Sequence, residues 1–214
     1  DANGIGDFNY IESGFLALCS QNSPDVAITD GTDHFNTVLY TGNDSTNNIT
    51  GVGFSPDWVW LKQRNAVENH FLTDSVRGAG LHIRSDQTTA ESDTSATFTT
   101  FGADGFSLTG SGSAAAQIND DSDTYVAWNW LAGTAFSNDA SATGVGSIDS
   151  EGQVNTKAGF SIIKFTTDGD TSGTVAHGLG VQPQLLIGKT RNHAVSWYVQ
   201  SPLLATNLSL ILNA

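Results

Sequence analysis

The chain has 214 residues, enough for one large β domain or two smaller ones, and carries 22 acidic against 8 basic side chains, a net charge of −14. That balance excludes a binder of phosphate backbones, which needs clustered Lys and Arg, and excludes direct attraction to anionic lipid. The single cysteine, Cys19, excludes an internal disulfide, and no apolar run reaches the ~18 residues needed to insert across a bilayer.

Only 14% of residues are charged, so Ser, Thr, Asn and Gly must coat the surface, and the 23 glycines fit many tight turns. Taken in chain order, residues 1–32 read as the closing strand of a preceding domain (Asp1–Cys19) plus a connector. Cys19 follows Leu16-Ala17-Leu18 and reads as a small buried hydrophobe. The chain starts at Asp1 and holds no Met, which reads as a processed product or a piece of a longer polypeptide. Residues 33–134 carry strand signals throughout. Asn36–Thr41 ends at Gly42-Asn43-Asp44, and Trp58–Lys62 opens after Pro56 and closes at Gln63-Arg64-Asn65. Short strands are predicted at His70–Thr73 and Leu81–Arg84, the latter alternating apolar and basic residues. Thr97–Phe101 and Gly105–Thr109 flank Gly102-Ala103-Asp104, a hairpin signal. Tyr125–Leu131 is the most apolar run and the predicted central strand. No stretch shows helical periodicity, and Ala114-Ala115-Ala116 is too short to count. A Ser/Gly/Asp-rich linker is expected over 135–156, followed by an incomplete second repeat over 157–214.

That repeat is the strongest signal. Gly53–Asn65 and Gly180–Asn192 align without a gap, matching at Pro56/Pro183, Lys62/Lys189, Arg64/Arg191 and Asn65/Asn192. Phe160–Thr166 restarts the pattern of Phe35–Thr41 at a slightly shorter offset, the difference falling in the loop Asp168–Gly173. The second copy ends soon after Leu208–Ile211, so further sequence or strands from a neighbouring chain are expected to complete it. The expected fold is all-β, an antiparallel β-sandwich of jelly-roll or concanavalin-like kind followed by a partial second copy.

Catalytic chemistry is absent from the motifs, and the chain is not expected to be an enzyme. His34, His70, His82, His177 and His193 have no zinc-type spacing. Gly110-Ser111-Gly112-Ser113 lacks the strand–turn–helix setting of a nucleophile elbow. No cofactor is expected except Ca²⁺, for which Asp120, Asp121 and Asp123 are the best oxygen ligands and Asp168 and Asp170 the next. In Trp58/Trp60 and Trp128/Trp130 the i, i+2 spacing puts both rings on one sheet face, as core or as a sugar-stacking platform. Arg77 is placed to pair with Asp74 and fix its loop. The carbohydrate or contact candidates are Trp58, Trp60, Arg64, Arg77 and Trp197. Asn43, Asn48 and Asn207 sit in N-x-S/T sequons.

Asp33–Asn43, Gly53–Lys62, Asp74–Gly80, Asp104-Gly105-Phe106 and Tyr125–Trp130 together resemble a family of large virion proteins, tail-fibre-like or otherwise structural, of marine tailed phages. Asp1–Cys19 is similar to the end of the SPRY or concanavalin-like domain that often precedes such repeats, and His177–Pro183 (HGLGVQP) resembles the start of the next one. The resemblance covers nearly the whole chain and implies no catalytic residues. It implies a virion location, self-assembly with other virion proteins, and adhesion to host surface polysaccharide. The alternative is a secreted bacterial lectin-like or filament-forming protein that shares strands between subunits. A polysaccharide depolymerase is the third reading.

Overall fold

The computed structural model describes residues 26–110, 114–167, 169, 172–205 and 208–214. Asp1–Cys19, Ser111–Ser113, Asp168, Asp170 and the Asn207 sequon, all singled out above, lie outside the described residues. The fold is all-β, with every strand-to-strand pairing antiparallel among the described residues. Its first nine strands are β1 (Phe35–Thr41), β2 (Asn47–Ile49), β3 (Trp58–Gln63), β4 (Phe71–Asp74), β5 (Leu81–Ile83), β6 (Ser92–Asp93), β7 (Phe98–Gly102), β8 (Gly105–Leu108) and β9 (Thr124–Trp130). They make two sheets, ordered β1-β9-β3-β4-β5-β6 and β2-β8-β7.

These sheets form a β-sandwich because their strands alternate. Val59 and Leu61 of β3, Phe71 of β4 and Ala127 of β9 meet Ile49, Phe98, Phe106 and Leu108 from the smaller sheet in one buried cluster. Each large side chain fully buried there stabilises the fold by about 1.5–3 kcal/mol. The strand predicted as central lies inside the sheet, next to its edge: β9 pairs with β1 on one side and β3 on the other. Its buried and half-buried residues alternate strictly, with Tyr125, Ala127 and Asn129 facing inward. Burial holds the Tyr40 hydroxyl well above its ordinary pKa while it donates to Ile118 O at 2.7 Å. The predicted hairpin forms between β7 and β8. Its Gly105, at φ +150°, lies so near β2 that a Cβ would sit 2.0 Å from Ile49 O.

Two expectations need correction. The Ala-rich stretch does form a helical turn, α1 (Ala115–Ile118), whose end tucks Ile118 into the core. The segment 135–156, expected as a linker, instead carries most of a third sheet: β10 (Thr134–Asn138), the helical turn α2 (Ala140–Thr143) and β11 (Ser150–Asn155), with β12 (Phe160–Phe165) completing the order β10-β11-β12. Its linker-like composition has structural causes. Asp139 caps α2 by accepting from Ala142 N at 3.0 Å. Gly152 sits opposite Phe136 in β10, where a Cβ would lie 2.2 Å from Ile162 O.

The second unit repeats the first in register. Strands β13 (Leu186–Gly188), β14 (Tyr198–Gln200) and β15 (Leu210–Ile211) form a sheet in that order. The pairs Leu186↔Gln200, Ile187↔Val199 and Gly188↔Tyr198 answer Val59↔Thr73, Trp60↔Leu72 and Leu61↔Phe71, at the same offset that relates Pro183 to Pro56. Val199↔Leu210 likewise answers Leu72↔Ile83. The loops match as well. Lys62 Nζ donates to Gln63 O (2.7 Å) and Ala66 O (3.3 Å), and Lys189 Nζ donates to Thr190 O (3.0 Å) and His193 O (3.1 Å).

Candidate functional site

The face of the large sheet turned away from the core is aromatic. The i, i+2 spacing places Trp58 and Trp60 on it from β3, and Trp128 and Trp130 from β9, in the cross-strand pairs Trp58↔Trp130 and Trp60↔Trp128. Trp58 stacks on Trp130 at 4.7 Å and on Trp60 at 6.0 Å between ring centroids. Phe35 of β1 leans on Trp130 at 4.8 Å, and Phe160 of β12 lies parallel to Trp58 at 5.6 Å. These rings are half-buried or exposed, so the face is neither sealed core nor open platform.

Along one border lies an open groove of about 570 Å³, lined by Ile28, His34, Phe35, Trp130, Gly159 and Phe160. The tautomer of His34 follows from its partners. Asn155 Oδ1 accepts from Ala158 N at 3.0 Å, so Asn155 Nδ2 is the donor that meets His34 Nδ1 at 2.9 Å. Nδ1 therefore accepts, and the proton sits on Nε2, which is buried and has no partner. An aromatic lining of this kind suits a ligand that offers C–H faces, as a sugar ring does.

The structure brings together only part of the predicted contact set. Trp58 and Trp60 share the aromatic face, and Trp60 Nε1 donates to His70 Nδ1 at 2.7 Å. Burial lowers the His70 pKa below its ordinary value. Arg64 is exposed on the adjoining loop. Arg77 and Trp197 lie buried instead. The Arg77 side chain is 6% exposed and pairs with Asp74 and Glu91, while Nη2 donates to Leu72 O at 3.1 Å. Trp197 is 4% exposed because it packs on Leu72 and Ile83 and donates to Arg84 O at 2.7 Å. The arrangement adds His34, Phe35 and Phe160, which the candidate set omitted. Their signal was the restart of the strand pattern at Phe160, which sets Phe35 and Phe160 at the same place in their units.

The acidic run does not gather into a cation site. Asp123 is spent on the neighbouring loop, accepting from Gln63 Nε2 (2.6 Å) and Asn65 Nδ2 (2.8 Å). Asp121 accepts from Ser122 Oγ, and the backbone of Asp120 donates to the Tyr125 hydroxyl at 3.0 Å. Burial pushes that hydroxyl's pKa up to about 12. Among the described residues, no group of three or more His, Cys, Asp or Glu converges to hold a metal. Of the sequons, Asn43 donates to Thr46 O at 3.1 Å and Asn48 accepts from Ser107 Oγ at 2.8 Å.

A second polar feature joins the two units. Arg191 grips the Glu91 carboxylate through Nε (3.0 and 3.2 Å) and Nη2 (2.6 Å), and Glu91 N donates to Arg191 O at 2.7 Å. Burial pushes the Glu91 pKa up, but the hydrogen bonds from Arg191 and Arg77 outweigh it and leave the carboxyl below its usual range. Trp197 closes the apolar side of the same joint.

No curated protein and no solved structure matches this chain. A family model covers residues 30–214, which spans the sandwich, the aromatic face and the joint, and the chain therefore belongs to the family described as Domain of unknown function (DUF7483).

Proposed function

We propose that this chain is a module of a tail-fibre-like virion structural or appendage protein, which assembles in series and adheres to host surface glycans. The observation that carries the reading is the repeat: two units with one strand register, clamped by a dedicated joint, in a chain that also presents an aromatic groove. Each groove would hold sugar weakly, through stacking on Phe35, Trp130 and Phe160. Copy number would then multiply weak contacts into firm attachment. Binding, not turnover, is the expected chemistry. A glycan array with the wild-type chain and with Trp130→Ala tests this. Selective binding that falls at least tenfold in the variant supports it; no binding on a broad array, or binding indifferent to Trp130, contradicts it.

The second reading, a secreted bacterial lectin-like or filament-forming protein that shares strands, has its own support. Among the described residues β13 has one strand neighbour, β14, whereas its counterpart β3 has two. A free edge of this kind accepts a strand from another chain. Oligosaccharide release from host capsule would instead favour a depolymerase.

A further inference from the structure

We propose that the Arg64 loop is a docking site for another module of this family. That module would present a glutamate in the place of Glu91 and an apolar pair in the places of Leu72 and Ile83. The inference rests on the reading of the chain as a serial module, but not on its binding of glycans.

The contact already exists once within the chain. Arg191 and Trp197 of the second unit sit on Glu91, Leu72 and Ile83 of the first. Arg64 is the counterpart of Arg191 one repeat earlier, in the same loop, held by the same two lysine hydrogen bonds after a strand of the same register. Yet the two arginines differ in what they do. The guanidinium of Arg191 is committed to Glu91, whereas Arg64 is exposed and its side chain has no hydrogen bond or ion pair among the described residues. Beside it Val67 is wholly exposed. A loop that binds a carboxylate in one unit is thus presented empty-handed in the other.

The internal joint also defines the occupant. Arg191 meets a carboxylate with two of its nitrogens and a backbone N–H with its carbonyl, while Trp197 packs on Leu72 and Ile83 alongside, a combination that a protein surface supplies. The joint uses different surfaces on its two sides, so repeating it continues a series instead of closing a dimer. One difference sets the strength. The place of Trp197 is taken in the first unit by His70, which is turned in to accept from Trp60. Docking at Arg64 is therefore weaker than the internal joint.

The probe is this chain carrying Arg191→Ala and Trp197→Ala, which uncovers Glu91, Leu72 and Ile83. Mixed with the wild-type chain in sedimentation velocity, it should form complexes that grow with concentration. Arg64→Glu in both chains, or Glu91→Gln in the probe, should weaken them at least tenfold. No association at several hundred micromolar, or association unchanged by Arg64→Glu, overturns the proposal. Near-ultraviolet circular dichroism checks that the probe is folded. If it is not, Arg191→Ala alone removes the outer of the two guanidinium groups on Glu91 and is read by the same two outcomes. No glycan is present in this assay, so its failure beside a positive glycan array would discard the docking site and leave adhesion standing.

Discussion

The two units share a hairpin register residue for residue and differ almost completely in what covers it. In the first, Val59 and Phe71 are 0% and 1% exposed; their counterparts Leu186 and Tyr198 are 47% and 49% exposed. Register is a local property, set by the loop after the strand, where Lys62 or Lys189 ties down the turn. Burial is not local. It comes to β3 from β9 beside it and the β2-β8-β7 sheet beneath it, and β13 has neither among the described residues. What the second unit has is the joint, where Trp197 is buried against Leu72 and Ile83.

The comparison can be broken most forcefully in the core. Phe71→Ala should cost about 3–5 kcal/mol in urea denaturation, because it leaves a cavity in a sealed cluster. Tyr198→Ala, the same strand position one repeat later, should cost under about 1 kcal/mol. Equal costs would mean that the second unit is as firmly packed as the first.

Acid sharpens it next. His82 lies buried against Phe71, and burial, with Arg84 and Arg77 nearby, lowers its pKa from 6.5 to about 4. The folded chain refuses a proton that the unfolded chain accepts in that window. Stability should therefore fall as the pH drops from 6.5 towards 4, by up to about 1.4 kcal/mol per pH unit from this group. Urea midpoints across the window should show the slope in wild type and lose most of it in His82→Gln. Position 82 has Ser209 as its counterpart, so the effect belongs to the first unit. Glu91 acts in a lower window. Its depressed pKa contributes stability above the ordinary carboxylate range, and this is lost as the pH falls through the folded value.

The smallest contrast is between the two arginines. Arg191→Ala should cost about 1 kcal/mol, since its pair with Glu91 is charge-assisted but part-exposed. Arg64→Ala should stay within about 0.5 kcal/mol of wild type. A larger loss at Arg64 would reveal a partner within its own chain.

Much of the first unit was legible in the sequence. Turn residues at their ends mark β1 and β3, the most apolar run marks β9, the Gly-Ala-Asp turn marks the β7-β8 hairpin, and the i, i+2 tryptophans announce one aromatic face. The strands without a sequence signal are polar or glycine-bearing: Asn47–Ile49, Ser92–Asp93 and Ser150–Asn155 pair through backbone and have little apolar pattern. Side-chain roles are harder to read. Alternation makes His82 the wet position of its strand, but Phe71 stacks on it from the neighbouring strand. Arg77 and Trp197 read as surface anchors because Glu91, the partner of one, lies beyond the next strand, and Leu72 and Ile83, the partners of the other, lie in the other unit. Only the fold brings those groups together.

Hydrogen exchange on the intact chain, with and without Trp197→Ala, tests the central claim most directly. If the joint is what holds the second unit, the amides of β13, β14 and β15 should lose protection together in the variant while β3, β4 and β9 keep theirs. Loss of protection in both units at once, or unchanged protection in β13–β15, would contradict it.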